Sequence, residues 1–133
     1  MQAYEFIKDH HLVTNVFGRW PNFHDSEVHR VVLDRKPNVE VLLHGWVMTS
    51  EITPSGHYKL EHQSLIHFLF EQVSEFQLDG LNHQNVLSGL ELSLVGGQES
   101  PQLAVELGHC YGLSGGFKAS RAKILSVSPY VGS

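Results

Sequence analysis

The stretch Trp20–Val28, which reads WPNFHDSEV, lies between two different hydrophobic patterns in this chain. Upstream of it, apolar residues recur at helical spacing and predict a helix over Tyr4–Phe17, broken near Asp9. Downstream, from Glu27 onward, apolar residues alternate with a period of two, as in β-strands. Because Pro21 disfavours the helical conformation in the residue before it, the stretch predicts a corner where a helix gives way to a sheet.

Six or seven strands are predicted beyond this corner, separated by short turns. The alternating segments are Val28–Leu33, Val39–Met48, a return strand from His57, Leu65–Leu78 as one strand or two, Leu90–Leu94, Leu103–Leu107 and Phe117–Val127. No helical crossover separates neighbouring strands, so we expect antiparallel pairing. The predicted class is α+β: an N-terminal helix packed on a twisted, mainly antiparallel sheet of six to seven strands, forming a single domain over residues 1–133.

Composition excludes several classes of protein. The 133 residues are 41% hydrophobic and 17% charged, which is typical of a chain with a packed core. The formal net charge of -5 has the wrong sign for non-specific nucleic-acid binding. No apolar run approaches the roughly 20 residues of a membrane span, and charged residues near the N-terminus argue against a secretion signal. We therefore expect a cytoplasmic protein that binds neither nucleic acid nor membrane.

His24 and Asp25 are the first candidates for a catalytic site, since a carboxylate can orient and charge an imidazole. In an extended segment, however, adjacent side chains point to opposite sides, which predicts that these two do not bond each other. The alternative interpretation is that one of them accepts hydrogen bonds from backbone donors at the corner. The sequence favours this structural role over partner binding, and partner binding over catalysis.

The ten histidines raise the question of a metal site. His57, His62 and His67 are spaced by five, and neither a helix nor a strand gathers all three on one side. Glu27 and His29 share a face of the first predicted strand, and His44 could approach it from the next. This leaves a two- or three-ligand site as an open alternative, although the chain lacks the spacings typical of zinc sites. We expect no metal and no cofactor.

Two further segments contain side chains that could carry chemistry. Cys110 is the only cysteine, so no internal disulfide is expected, and its position at a strand end beside an aromatic residue predicts a small buried thiol. The amide-rich segment Asn82–Asn85 lies between apolar residues. Because buried amides need hydrogen-bond partners, we expect it to brace the neighbouring turn.

The residues Phe17–Val28 (FGRWPNFHDSEV) resemble the signature of the immunity protein 50 family, a group of small bacterial proteins associated with polymorphic toxin systems. A second similar stretch is Gly80–Val86 (GLNHQNV). The resemblance implies a non-enzymatic protein that binds and neutralises a cognate toxin inside the producing cell. The residues that carry the motif, in a structural or partner-binding role, are Trp20, Pro21, Phe23, His24, Asp25, Glu27 and Asn85.

The acidic charge balance would suit a basic toxin through electrostatic complementarity. Candidate contact residues are Glu71, Glu75 and Asp79 along one edge, and Glu27 with His29 near the motif. The terminal strand Phe117–Val127 is a candidate edge for a homodimer. The alternative to a toxin-binding protein is a small enzyme, or a ligand- or metal-binding domain, that uses His24, Asp25 and other histidines.

Overall fold

Alternation of apolar and polar residues produces six strands, and the helical pattern at the N-terminus produces two short helical pieces. The computed structural model describes residues 2–130, apart from the side chains of residues 48–50 and 58–60. A 3₁₀ turn covers Ala3–Phe6 and helix α1 covers His11–Phe17. The strands are β1 Glu27–Leu33, β2 Val39–Ile52, β3 Tyr58–Asp79, β4 Val86–Val95, β5 Gln102–Tyr111 and β6 Ser114–Pro129.

The six strands close into a barrel in the order β1-β2-β3-β6-β5-β4, and every neighbouring pair is antiparallel. The expected antiparallel sheet of six to seven strands is confirmed. Its closure was not predicted, because alternation defines strands but does not say which strands that are distant in sequence will pair. β3 is a single strand of 22 residues, so the prediction of either one strand or two is settled as one.

The core fills the inside of the barrel with inward-facing side chains of alternate strand residues. Val39, Val41 and Leu43 of β2 are buried opposite Phe70, Phe68 and Ile66 of β3. On the other wall, Leu103, Val105 and Leu107 of β5 face the same interior. Each such side chain contributes roughly 1.5–3 kcal/mol on burial, so these rows stabilise the barrel.

The predicted helix over Tyr4–Phe17 is shorter than expected and is interrupted. Between the 3₁₀ turn and α1, Lys8 adopts an extended conformation and bonds to β6, donating to Ala122 O at 2.9 Å and accepting from Ile124 N at 2.9 Å. α1 buries Val13 and Phe17 in the core. Gly18 ends it in the left-handed conformation (φ 78°), as glycine does most easily.

β6 is not the free edge that was predicted for Phe117–Val127. It pairs with β3 along one side and with β5 over Gly115–Ala119 on the other, and Lys8 then occupies that second side near Ala122. The prediction is therefore wrong for most of the strand. The physical reason is the barrel itself, which gives a chain-terminal strand two neighbours.

Candidate binding site at the barrel seam

The motif Trp20–Val28 contains a tight turn and is not extended throughout. Ser26 N donates to Phe23 O at 3.1 Å, and both Phe23 (φ 59°) and Asp25 (φ 64°) are left-handed. Asn22 Oδ1 accepts the backbone N–H of His24 at 2.9 Å. A left-handed phenylalanine is unusual and costs on the order of 1–2 kcal/mol, so its surroundings must compensate.

Burial of aromatic rings supplies that compensation. The ring of Phe23 is only 3% exposed and makes edge contacts with Trp20 and Phe68 at centroid distances of 5.8 and 6.0 Å. Trp20 in turn stacks on Tyr4 at 5.2 Å. Gly45 leaves room for the ring, because a Cβ there would lie 3.3 Å from Phe23 Cε1. The motif is thus anchored to the core by Phe23.

The turn also closes the barrel. Backbone bonds join it to β4 and the loop before β4: Asp25 N to Leu87 O (2.9 Å), Leu87 N to Ser26 O (2.9 Å), Val28 N to Asn85 O (2.8 Å) and Leu90 N to Asn22 O (3.0 Å). The ladder between β1 and β4 contains one residue pair, Glu27 with Val86. We call the junction between β1 and β4, where the barrel closes, the seam. The motif forms most of this seam, which is a structural role for the segment as a whole.

His24 and Asp25 bond each other, contrary to the prediction. His24 Nδ1 lies 3.1 Å from Asp25 Oδ1, because the left-handed Asp25 brings two consecutive side chains to the same side. The backbone N–H of His24 is accepted by Asn22, and among the described residues no bond joins the side chain of His24 or Asp25 to a backbone donor. The side chains are 64% and 49% exposed, so water screens the pair and its contribution to stability is small.

A surface groove of about 580 Å³ runs beside this pair. Its lining combines an imidazole, a carboxylate, a guanidinium and two indoles, and includes Arg19, Trp20, Pro21, His24, Asp25 and Trp46. Exposed polar groups beside aromatic rings are typical of protein contact surfaces, where tryptophan is enriched among the strongest contributors. The groove is therefore the place where the polar side chains of the motif meet solvent.

Asn85 connects three segments at the other side of the seam. Its Oδ1 accepts the N–H groups of Asn82 (2.9 Å) and Leu113 (3.1 Å), and its Nδ2 donates to Asn82 O at 2.8 Å. The side chain is buried, and its backbone carbonyl accepts from Val28. These bonds hold the loop before β4 against both β1 and the β5–β6 turn.

His29 and His44, two residues of the metal site left open by the sequence, belong to a cluster of rings on the outer face of the barrel. His29 and His44 lie with ring centroids 5.6 Å apart, and Tyr130 covers His44 at 3.9 Å. His44 is 8% exposed, and its Nε2 has no hydrogen-bond partner among the described residues. Burial lowers the pKa of His44 and His29 lowers it further, while a hydrogen bond to Gln63 and the charge of Glu27 oppose the shift.

The cluster lacks a metal-binding set. In the described part of the chain, no three histidine, cysteine or acidic side chains are grouped as metal ligands. The structure thus brings His29 and His44 together as the sequence suggested, and it places Glu27 opposite His44 in the strand ladder. Cys110 is exposed, so the prediction of a buried thiol is wrong; it lies at the end of β5, where side chains leave the core.

The predicted acidic edge is partly neutralised. Glu75 pairs with Lys118 at 2.6 Å and Glu71 with Arg121 at 3.6 Å, because β6 lies beside β3.

Another acidic site was not identified from the sequence. Glu91 and Glu106 face each other directly across β4 and β5. Both occur in alternating segments, but only the strand register shows that they are opposite.

These two residues belong to a groove of about 650 Å³ on the outer face of β3, β4, β5 and β6. Its acidic residues are Glu75, Asp79, Glu91 and Glu106, and its lining includes the lysine Lys118. Like charges directly opposite each other on a sheet are destabilising by a few tenths of a kcal/mol or more. A cationic partner would relieve this repulsion.

The chain is similar to a known protein family. A family model described as immunity protein 50 matches residues 9–130 of the 133-residue chain. No curated protein and no solved structure matches the chain. Within the described residues, no helix has the length and apolar character needed to cross a membrane.

Proposed function

This chain belongs to the immunity protein 50 family, and we propose that it acts without catalysis, by binding and neutralising a cognate bacterial toxin in the cytoplasm of the producing cell. The family match over residues 9–130 is the observation that carries the proposal. The match includes the whole of the motif Trp20–Val28 and the Asn85 loop.

The open position of the motif's polar residues supports binding over catalysis. His24 and Asp25 are both largely exposed at the rim of a surface groove. Enzymes usually shield their acid–base groups from water to strengthen their electrostatic effect. An exposed imidazole–carboxylate pair beside Trp46 can instead contact a partner through hydrogen bonds and ring packing.

Charge supports a basic partner. The chain carries a formal net charge of -5, and the groove that contains Glu91 and Glu106 gathers four carboxylates around one lysine. Complementary fields of this kind accelerate association and fix orientation. We expect the toxin to present a basic surface to this groove, while the motif groove supplies the aromatic contacts.

The first test is the stoichiometry of neutralisation. The protein is titrated against candidate toxin domains of polymorphic toxin systems, and the activity of each toxin is followed. A binding protein reaches full inhibition at about one equivalent when its concentration exceeds the dissociation constant. Complete inactivation by much less than one equivalent would instead support the alternative of a small enzyme using His24 and Asp25.

A charge reversal tests the basic partner. Glu106→Lys should slow association with the toxin by about tenfold or more at low salt, because it removes attraction at the groove. Glu99→Lys is a matched control, since it changes net charge equally at an exposed position outside the groove lining. Equal effects of both variants would mean that net charge acts without a defined contact.

A further inference from the structure

β1 has one edge that faces β2 and a second edge that pairs with β4 only at Glu27. Among the described residues, this second edge has no strand partner at Val31 and Leu33. Asp34 N donates to Asn38 O at 3.0 Å just beyond the ends of β1 and β2, so residues 34 and 38 mark a hydrogen-bonding position of this ladder. Because such pairs alternate in an antiparallel ladder, Val31 and Leu33 turn their N–H and C=O groups away from β2. Among the described residues, no hydrogen bond is made to these outward groups.

A groove and two exposed leucine side chains lie beside this edge. A groove of about 510 Å³ separates β1 from the loop before β4, with Val31 on one side and Leu81 and Asn82 on the other. Leu33 and Leu81 are 58% and 62% exposed, which is high for leucine. An unpaired strand edge beside exposed leucines is a template for pairing with another strand.

We propose that this edge pairs with the same edge of a second copy of the chain, forming a symmetric dimer through β1. The two strands run antiparallel and are centred on Val32. In this register Val31 lies opposite the partner's Leu33, so the outward groups of both residues meet and form hydrogen-bonded pairs on either side of the axis. The two leucines become part of the interface.

Charge complementarity argues for a second copy as the occupant. In the same register Arg30 lies opposite the partner's Asp34, and the symmetry produces this pair twice. Both side chains are exposed, and neither forms an ion pair with another described residue. Cross-strand pairs of opposite charge stabilise a ladder, whereas the parallel register of the same strands would place like charges together.

The basic tip of the β1–β2 turn fits the groove. When β1 pairs with itself, the partner's residues Arg35 and Lys36 continue past Arg30 toward Glu27, which lines the groove.

The interface formed by this strand pair is small, so we expect a dissociation constant of the dimer on the order of 10–100 µM. The dimer does not depend on the proposed toxin binding, which we assign to the groove of Glu91 and Glu106 and to the groove beside the motif.

Sedimentation velocity over a range of about 1 µM to 1 mM tests the dimer. We expect reversible dimerisation by the wild-type chain. Arg30→Asp and Asp34→Arg should each raise the dissociation constant by about tenfold or more, because each places like charges opposite one another. The double variant, which swaps the two charges, should return to within about threefold of the wild type.

Lys8→Asp is the control, since it makes the same change of charge at an exposed side chain that lies beside β6, away from the edge. Thermal unfolding confirms that each variant is folded. A wild-type chain that stays monomeric throughout overturns the proposal and leaves the edge for a strand of another protein. A double variant as weak as the two single variants also overturns it, because the pairing of Arg30 with Asp34 would then be absent.

Discussion

Asn85 Oδ1 accepts the backbone N–H of Leu113 at 3.1 Å, a bond that spans 28 residues of sequence and connects the start of β4 to the β5–β6 turn. The same oxygen accepts the N–H of Asn82. One amide side chain therefore satisfies backbone donors from two loops that meet at one end of the barrel, and the donor of Leu113 is buried. Few other residue types could make these bonds, since the site requires an acceptor and a donor on a short stem.

Replacing this amide should be costly. Asn85→Ala strands the N–H of Leu113 and removes both bonds to Asn82, so we expect a loss of about 2–4 kcal/mol in the free energy of unfolding. Urea denaturation measures the change. Gln84→Ala, at the neighbouring exposed position, should change stability by less than about 0.5 kcal/mol. Equal losses in both variants would show that Asn85 does not brace the loop.

Phe23 should be the most sensitive residue of the motif. Phe23→Ala removes a ring that contacts Trp20 and Phe68 and keeps the left-handed backbone, so we expect a loss of about 3–5 kcal/mol. Thermal or urea unfolding detects this loss. Phe23→Leu retains part of the apolar volume and should lose clearly less. A mild effect of the alanine variant would mean that the ring does not anchor the seam.

The exposed pair beside Phe23 should contribute little to the fold. His24→Ala and Asp25→Asn should each change the free energy of unfolding by less than about 0.5 kcal/mol, because water already screens both groups. Asparagine is chosen because it tolerates the left-handed conformation of Asp25. If the variants lose toxin binding at unchanged stability, the pair belongs to the contact surface. A loss above about 1 kcal/mol would contradict the exposed geometry.

His44 should make stability depend on pH. Its folded-state pKa is lowered below 6.5, so as pH falls the unfolded chain takes up this proton before the folded chain does. The free energy of unfolding should therefore decrease as pH falls from about 6.5 toward the folded-state pKa, and should lose this dependence below it. Urea denaturation at a series of pH values measures the slope.

His44→Phe removes the titrating group and the unpartnered Nε2. We expect stability near pH 7 to be unchanged within about 1 kcal/mol, or increased, because a buried polar atom without a partner no longer has to be desolvated. The pH dependence below 6.5 should become weaker than in the wild type. His57→Gln, which removes an exposed imidazole, should keep the wild-type slope. An identical slope in all three proteins would contradict the assignment to His44.

Much of the architecture is readable from local patterns. Alternation in Leu90–Leu94 and Leu103–Leu107 predicts two strands of a hairpin, and β4 and β5 form one. What alternation does not contain is the register between distant strands. The pairing of β3 with β6, and the meeting of Glu91 with Glu106, depend on how the whole sheet curls, and no short segment encodes that.

The motif shows the same limit at a smaller scale. The sequence identified Trp20–Val28 as the corner between helix and sheet, but Phe23 gave no sign of a left-handed conformation, which phenylalanine ordinarily avoids. Tertiary burial of its ring overrides the local preference. Once that residue turns, the assumption of an extended chain fails, and His24 meets Asp25.

The seam has a consequence for how the chain reaches this structure. Its hydrogen bonds join residues that are distant in sequence. Val28 is bonded to Asn85, and Leu90 is bonded to Asn22. The β1–β2 and β4–β5 hairpins close much shorter loops and pay less entropy, so they can assemble earlier. We therefore expect the barrel to close late, after an open sheet with unpaired edge strands has formed. Refolding yield should consequently fall as protein concentration rises. The unpaired edge strands of different molecules can associate before the motif has paired with β4.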